Sequence, residues 1–239
     1  MWVVAHRGAS GHAPENTLVA FRRAVEFGAG FIETDLQLTR DAHFVAIHDE
    51  TLERTTSGAG AVRERTLAEL RQLDAGSWFG SEFIGEKIPT LEEILELARK
   101  ADVVFYLELK PGRAWGAEHA LVGALRQAEE LARVVVLSFD HGTIRALRKS
   151  EQTLMTGLLV ESLDGDPIKL ATSSGARQLA VKAELVTPAL LGEARRADLA
   201  VLAWTVNHPA HMRALAEAGV DGIITDYPDR LLSARKKKA

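Results

Sequence analysis

Glu33 and Asp35 lie two residues apart in one apolar run, and Glu108 and Lys110 lie two apart in another. Side chains at that spacing on an extended strand share a face. Glu33 and Asp35 therefore point one way, with Ile32 and Leu36 opposite. Glu108 and Lys110 do the same against Leu107 and Leu109. Converging carboxylates need compensation, since two bare charges about 4 Å apart cost about 4 kcal/mol even at an effective dielectric of about 20. A hard divalent cation with oxygen ligands, Mg2+ or Ca2+, would supply it. The alternative is that each acid pairs with a nearby arginine or lysine. The carboxylates alone do not choose between the two metals, and with no cysteine in the chain a thiolate site is excluded.

Two histidines sit beside these acids. His6 ends one apolar run and His48 ends another, and an imidazole titrating near neutrality suits either general acid or general base. Arg7 follows His6, and Lys110 follows Glu108 by two. A metal, an arginine and a lysine around one point make an anion pocket, most naturally for phosphate. Internal charge balance with Glu33, Asp35 and Glu108 is the plainer reading of the same two cations. Trp204, at the end of a late apolar run, is either core or an apolar wall for the non-phosphate part of a substrate. Glu15 is a partner for Arg7, and Asn16 is a natural helix N-cap.

Strand-like runs position these residues: Trp2–Ala5, Phe31–Leu38, Val103–Leu109, Val134–Phe139, Met155–Val160, Gln178–Lys182, Ala200–Val206 and Gly222–Thr225. Helix-like segments separate them, so the pattern is α/β with parallel β-α-β units. Eight such units fit a chain of 239 residues as a (β/α)8 TIM barrel. An open doubly wound sheet uses the same local pattern. In a barrel the active site lies at the C-terminal strand ends, where the ionisable residues collect. Phe44–Ile47 reads as an extra strand too close to Leu38 for a parallel crossover, so it forms an antiparallel hairpin. With Arg40 and Asp41 at the turn centre, Glu33 lies across from His48. A slip of two puts His48 opposite Asp35, and a slip of one turns it to the other face. Residues about 49–90 read as a small capping insertion, in which Trp78 and Phe79 pack onto the barrel. Residues 1–239 read as one catalytic domain, with about 233–239 a frayed basic tail.

A formal net charge of -4 disfavours nucleic-acid binding. Neither a signal-like n-region nor an apolar span is evident, so a cytoplasmic protein without stable membrane association is expected, and a homo-oligomer stays open.

In order along the chain, His6-Arg7-Gly8, Pro14-Glu15-Asn16-Thr17, Glu33-Thr34-Asp35, Asp41 with Val45 through His48-Asp49, Glu108-Leu109-Lys110, Trp204-Thr205-Val206-Asn207 and Gly219 through Pro228 resemble the glycerophosphodiester phosphodiesterase family. The likeness covers residue 4 to about 230. It implies a TIM barrel with a small insertion, and hydrolysis of small-molecule glycerophosphodiesters to sn-glycerol 3-phosphate and an alcohol. It implies that Glu33, Asp35 and Glu108 hold one divalent metal, Ca2+ or Mg2+ with Mn2+ as a further candidate. It also implies that His6 and His48 act as acid and base, and that Arg7 and Lys110 hold the phosphate. Ala42 departs from the glycine often found after the turn aspartate, which affects the turn type. A sphingomyelinase D-like or lysophospholipase D-type enzyme, or a non-catalytic barrel that binds phosphorylated ligands, are the other readings.

Overall fold

Alternating strands and helices close the chain into a barrel. The computed structural model describes residues 1–110 and 116–236, with side chains described to residue 233. The strands are β1 (Trp2–Ala5), β2 (Phe31–Leu38), β3 (Phe44–Ala46), β4 (Val104–Leu109), β5 (Val134–Ser138), β6 (Met155–Val160), β7 (Gln178–Lys182), β8 (Ala200–Trp204) and β9 (Gly222–Thr225). All but β3 are parallel and run β1–β9–β8–β7–β6–β5–β4–β2, with β2 returning to β1. The expected (β/α)8 barrel with an extra hairpin strand is the observed architecture.

The helices are α1 (Leu18–Phe27), α2 (Leu67–Leu70), α3 (Leu91–Ala101), α4 (Ala117–Gln127), α5 (His141–Ser150), α6 (Pro167–Ser174), α7 (Pro188–Arg196), α8 (Pro209–Ala218) and α9 (Pro228–Lys236). Period-two alternation sorts the strand residues. Val4, Tyr106, Leu137, Leu159, Leu202 and Ile224 form one buried cluster inside the barrel. Ile32, Phe105 and Leu107 face out to the helices, where Phe21 of α1 meets Phe105 edge-on at 5.3 Å. Local signals set the helix starts. Thr90 and Glu93 form a reciprocal capping box at the head of α3.

The last helix, α9, runs to Lys236, and positions 237–239 of the expected tail lie outside the described residues. The expected hairpin register is out by one. Leu36 faces Ala46 and Leu38 faces Phe44, so the loop holds three residues, Arg40-Asp41-Ala42. Ala42 takes a left-handed conformation (φ 63°). This is the geometry of a three-residue hairpin loop that ends in a left-handed residue. The ladder bond from Ile47 N–H to the Asp35 carbonyl is 3.1 Å. His48 is therefore not paired across from Glu33. It reaches the acids because the chain bends away after Ile47, where the Gln37 side chain donates to the His48 carbonyl at 3.0 Å.

Residues 49–90 continue from this bend. Leu52, Val62, Leu70, Ala75 and Ile88 pack beneath Val45 and Ile47 of the hairpin. Asp41 ties the turn to this segment by accepting the Leu67 N–H at 2.9 Å. Trp78 and Phe79 do not bury themselves on the barrel. They stack edge-on with each other, Phe79 stacks on Phe83, and they stay 41% and 37% exposed.

Candidate active site

The β1–α1 turn supplies the first functional residues. Arg7 is left-handed (φ 53°), and this turns its backbone N–H onto Glu33 Oε2 at 2.9 Å. Gly8 follows at φ 84°, and a Cβ there would lie 2.6 Å from the backbone of Ala20. Only glycine meets both conditions, so this residue lets α1 approach while Arg7 points into the site.

Glu33, Asp35 and Glu108 converge as their spacing predicts. Each offers a carboxylate oxygen, and these atoms all lie within 4.8 Å of one another. All three side chains are buried. Lys110 Nζ lies 2.8 Å from Asp35 Oδ1 and 2.6 Å from Glu108 Oε1. Arg7 Nε lies 3.2 Å from Asp35 Oδ2. The two cations therefore do balance charge inside the cluster, the plainer of the two roles their sequence positions allow. Their balance is incomplete. Burial, and then the charge of Asp35, push the Glu33 carboxyl up to about 7. Burial and Asp35 likewise raise Glu108. Burial would raise Asp35 too, but Lys110 and Arg7 outweigh it and hold this carboxyl far below the ordinary range.

Three hard oxygen donors with a surplus of negative charge suit a divalent cation such as Mg2+ or Ca2+. The donors are also oriented from behind. Asn16 Nδ2 donates to Asp35 Oδ2 at 2.9 Å, and Asn16 Oδ1 accepts from Thr34 Oγ1 at 2.7 Å. Asn16 is thus not the cap of α1. That role falls to Thr17, which accepts the Ala20 N–H at 3.3 Å and frees Asn16 to reach the strand.

His6 and His48 both reach the cluster. His6 Nε2 lies 3.9 Å from Glu33 Oε2, and His6 Nδ1 lies 2.7 Å from Asp226 Oδ1. Burial would lower the His6 pKa, but the Asp226 hydrogen bond and the charge of Glu33 raise it above the ordinary value. His48 Nδ1 lies 2.6 Å from Asp49 Oδ1. Burial lowers the His48 pKa, Arg7 and Lys110 add to that, and Asp35 and Asp49 oppose it. Trp204 stands half-buried at the barrel mouth. Its Nε1 donates to the Ala180 carbonyl at 2.7 Å and its ring meets Phe139 edge-on at 5.8 Å.

The profile of the glycerophosphoryl diester phosphodiesterase family matches residues 6–230, which span every one of these side chains. The chain belongs to this family. Membership in the glycerophosphoryl diester phosphodiesterases makes it an enzyme, a phosphoric diester hydrolase. It is 41% identical over 237 residues to a glycerophosphodiester phosphodiesterase of Caldanaerobacter subterraneus subsp. tengcongensis, with 98% of each chain covered. A phosphodiesterase of Oleispira antarctica, solved in complex with the product sn-glycerol-3-phosphate, superimposes with a TM-score of 0.89 at 31% identity, covering 99% of this chain and 97% of that one. A glycerophosphodiester phosphodiesterase from Agrobacterium tumefaciens gives a TM-score of 0.86 at 29% identity, covering 98% and 99%.

Three side chains shape this family member's site without a site role legible in the sequence. Asp226 and Asp49 each engage a histidine Nδ1. Asp49 directly follows His48, a visible signal, whereas Asp226 reaches His6 only because β9 lies beside β1. Asn16 looked like a cap because its helix-capping partners are local and its true partners lie in another strand. The described residues contain no helix long and apolar enough to cross a membrane.

Proposed function

We propose that the chain, acting as one catalytic unit over residues 1–239 in the cytoplasm, hydrolyses glycerophosphodiesters in a divalent-metal-dependent reaction. Substrates such as glycerophosphocholine or glycerophosphoethanolamine would yield sn-glycerol 3-phosphate and the free alcohol. The observation that carries this reading is the buried Glu33–Asp35–Glu108 cluster, set between two histidines whose Nδ1 atoms are each engaged by an aspartate. Family membership and the product held by the Oleispira relative support the substrate class.

Glu33, Asp35 and Glu108 would hold the cation, which when bound supplies Lewis-acid stabilisation of negative charge on a phosphoryl oxygen. Arg7 and Lys110 bind and orient the phosphate, their guanidinium and ammonium groups already fixed against Asp35. With Nδ1 of each ring occupied, Nε2 is the nitrogen that exchanges protons with substrate. One histidine takes the proton of the attacking hydroxyl as its oxygen bonds to phosphorus. The other gives a proton to the departing alkoxide as the second phosphorus–oxygen bond breaks. The attacking hydroxyl belongs either to the glycerol itself, giving a cyclic phosphate that water then opens, or to water directly. Trp204 and its neighbour Phe139 form the apolar wall on the far side of the mouth.

A panel of glycerophosphodiesters tested with Ca2+, Mg2+ and Mn2+ after chelation, with products followed by 31P NMR, checks this reading. Metal-restored release of sn-glycerol 3-phosphate is the expected result, and a transient cyclic phosphate would identify the glycerol hydroxyl as nucleophile. Turnover confined to lysophospholipid or sphingomyelin would reassign the substrate class. Substrate binding with no chelator-sensitive turnover would reduce the chain to a phosphate-binding barrel.

A further inference from the structure

Arg54 lies outside the carboxylate cluster, in the segment that follows β3, and 44% of its side chain is exposed. Its guanidinium nevertheless grips two carboxylates, each through two nitrogens. Nε donates to Asp49 Oδ2 at 2.6 Å and Nη2 to Asp49 Oδ1 at 2.9 Å. Nη1 donates to Glu15 Oε2 at 2.8 Å and Nη2 to Glu15 Oε1 at 2.8 Å. Each carboxylate passes the contact inward. Asp49 Oδ1 engages His48 Nδ1 at 2.6 Å, and Glu15 Oε1 accepts from Arg7 Nη1 at 2.8 Å.

We propose that Arg54 is a positioning residue that sets, through Asp49 and Glu15, the orientation of both His48 and Arg7. The two carboxylates come from different elements, the β1–α1 connection and the bend after β3. Without a cation between them they would repel one another and release the side chains they hold. A lone exposed ion pair contributes little. A planar fork that donates four hydrogen bonds to two carboxylates is a more specific device, and only arginine has the donors for it. Lysine offers a point charge that cannot align both carboxylates at once.

The consequence is kinetic more than thermodynamic. His48 must present Nε2 to the substrate, and Arg7 must reach the phosphate. Displacing such groups by about 1 Å can cost about a hundredfold in rate. The inference rests on the reading of His48 and Arg7 given under the proposed function, so the unsubstituted enzyme is the first control. If that enzyme does not hydrolyse glycerophosphodiesters, the functional reading fails and not the role of Arg54.

Given that activity, Arg54→Ala, Arg54→Lys, His48→Ala and the Arg54→Ala/His48→Ala double variant are compared at saturating metal, with thermal melts beside the kinetics. The expected result is a kcat loss of about tenfold to a hundredfold in Arg54→Ala. Arg54→Lys should melt like the parent yet recover only a minor part of the lost kcat, which a merely structural ion pair would not do. In the His48→Ala background, Arg54→Ala should cost a smaller factor in kcat than in the parent, because only its effect on Arg7 through Glu15 remains. Arg54→Ala or a correctly folded Arg54→Lys with parental kcat and KM would overturn the proposal. So would an equal fold-loss from Arg54→Ala with and without His48.

Discussion

His6 Nδ1 lies 2.7 Å from the Asp226 carboxylate, a contact between residues 220 positions apart that only barrel closure makes. Ala5 pairs with Thr225 where β1 meets β9, so the residues just beyond both strand ends fall side by side. Asp226 is itself held, accepting from Ser10 Oγ at 3.0 Å and from Asn207 Nδ2 at 2.5 Å. The arrangement leaves His6 Nε2 as the atom turned toward Glu33. His48 is built the same way with Asp49, and two differently buried histidines thus carry matching aspartates on the same ring nitrogen.

Asp226→Asn keeps the side chain's shape but removes the carboxylate that fixes the His6 tautomer. A change of this kind lowers kcat by about a hundredfold to ten-thousandfold when the ring takes part in proton transfer. Steady-state kinetics should show that loss in kcat with far-UV circular dichroism unchanged. His6→Ala and His48→Ala should each cost at least as much. Near-parental turnover in either alanine variant would remove that histidine from the proton-transfer scheme.

The parts of this site legible in sequence are those that depend on periodicity within one element. Glu33 with Asp35 and Glu108 with Lys110 needed only the two-residue repeat of a strand, and the repeat also separated them from buried Ile32, Leu36, Leu107 and Leu109. The parts that stayed hidden depend on contacts between elements or on one backbone angle. Asn16 is suited to capping a helix, and nothing local reveals that Asp35 and Thr34 compete for it. Arg54 carries no local signal of its role, since its partners Glu15 and Asp49 meet only in the folded chain. The hairpin register turned on Ala42, whose left-handed angle runs against the preference of alanine.

Glu33, Asp35 and Glu108 contribute differently although they occupy one cluster. Asp35 is the partner of Arg7, Lys110 and Asn16, so Asp35→Asn should destabilise the protein by about 3–5 kcal/mol as well as abolish activity. Glu33 crowds two other carboxylates, so Glu33→Gln should raise the melting temperature of the metal-free protein while weakening divalent-ion binding. Calorimetric titration with Ca2+ and Mn2+, paired with melts after chelation, measures both effects. Equal losses of stability from the two substitutions would contradict the asymmetry.

Asp74 organises the 49–90 segment, accepting backbone N–H groups from Gly85, Gly76 and Ser77. The Gly85 bond and those from Ser77 hold its carboxyl well below the ordinary carboxylate range. A depressed folded-state pKa means that ionised Asp74 stabilises the fold above the unfolded-state value, about 3.9, and that this contribution is lost as pH falls below it. Melting temperatures of the parent and Asp74→Asn should therefore differ at pH 7 and converge on acidification below about pH 4. A gap that stays constant across that range would mean the carboxylate charge is not what Asp74 contributes.

Ala42 closes the three-residue loop at φ 63° and lies exposed, with its N–H donating to the Thr39 carbonyl at 3.1 Å. The left-handed conformation costs a non-glycine residue about 1–2 kcal/mol. Glycine's greater freedom in the unfolded chain cancels about 0.5–1 kcal/mol of the relief. Ala42→Gly should therefore stabilise the protein by up to about 1.5 kcal/mol, at about 2–4 °C in Tm per kcal/mol for a chain this long. His48 reaches the acids through the bend after Ile47, held by Gln37, and not through the identity of residue 42, so kcat should not change. A lower Tm would show that this loop does not hold its left-handed residue in solution, and the route by which His48 reaches Asp35 would then have to be redrawn.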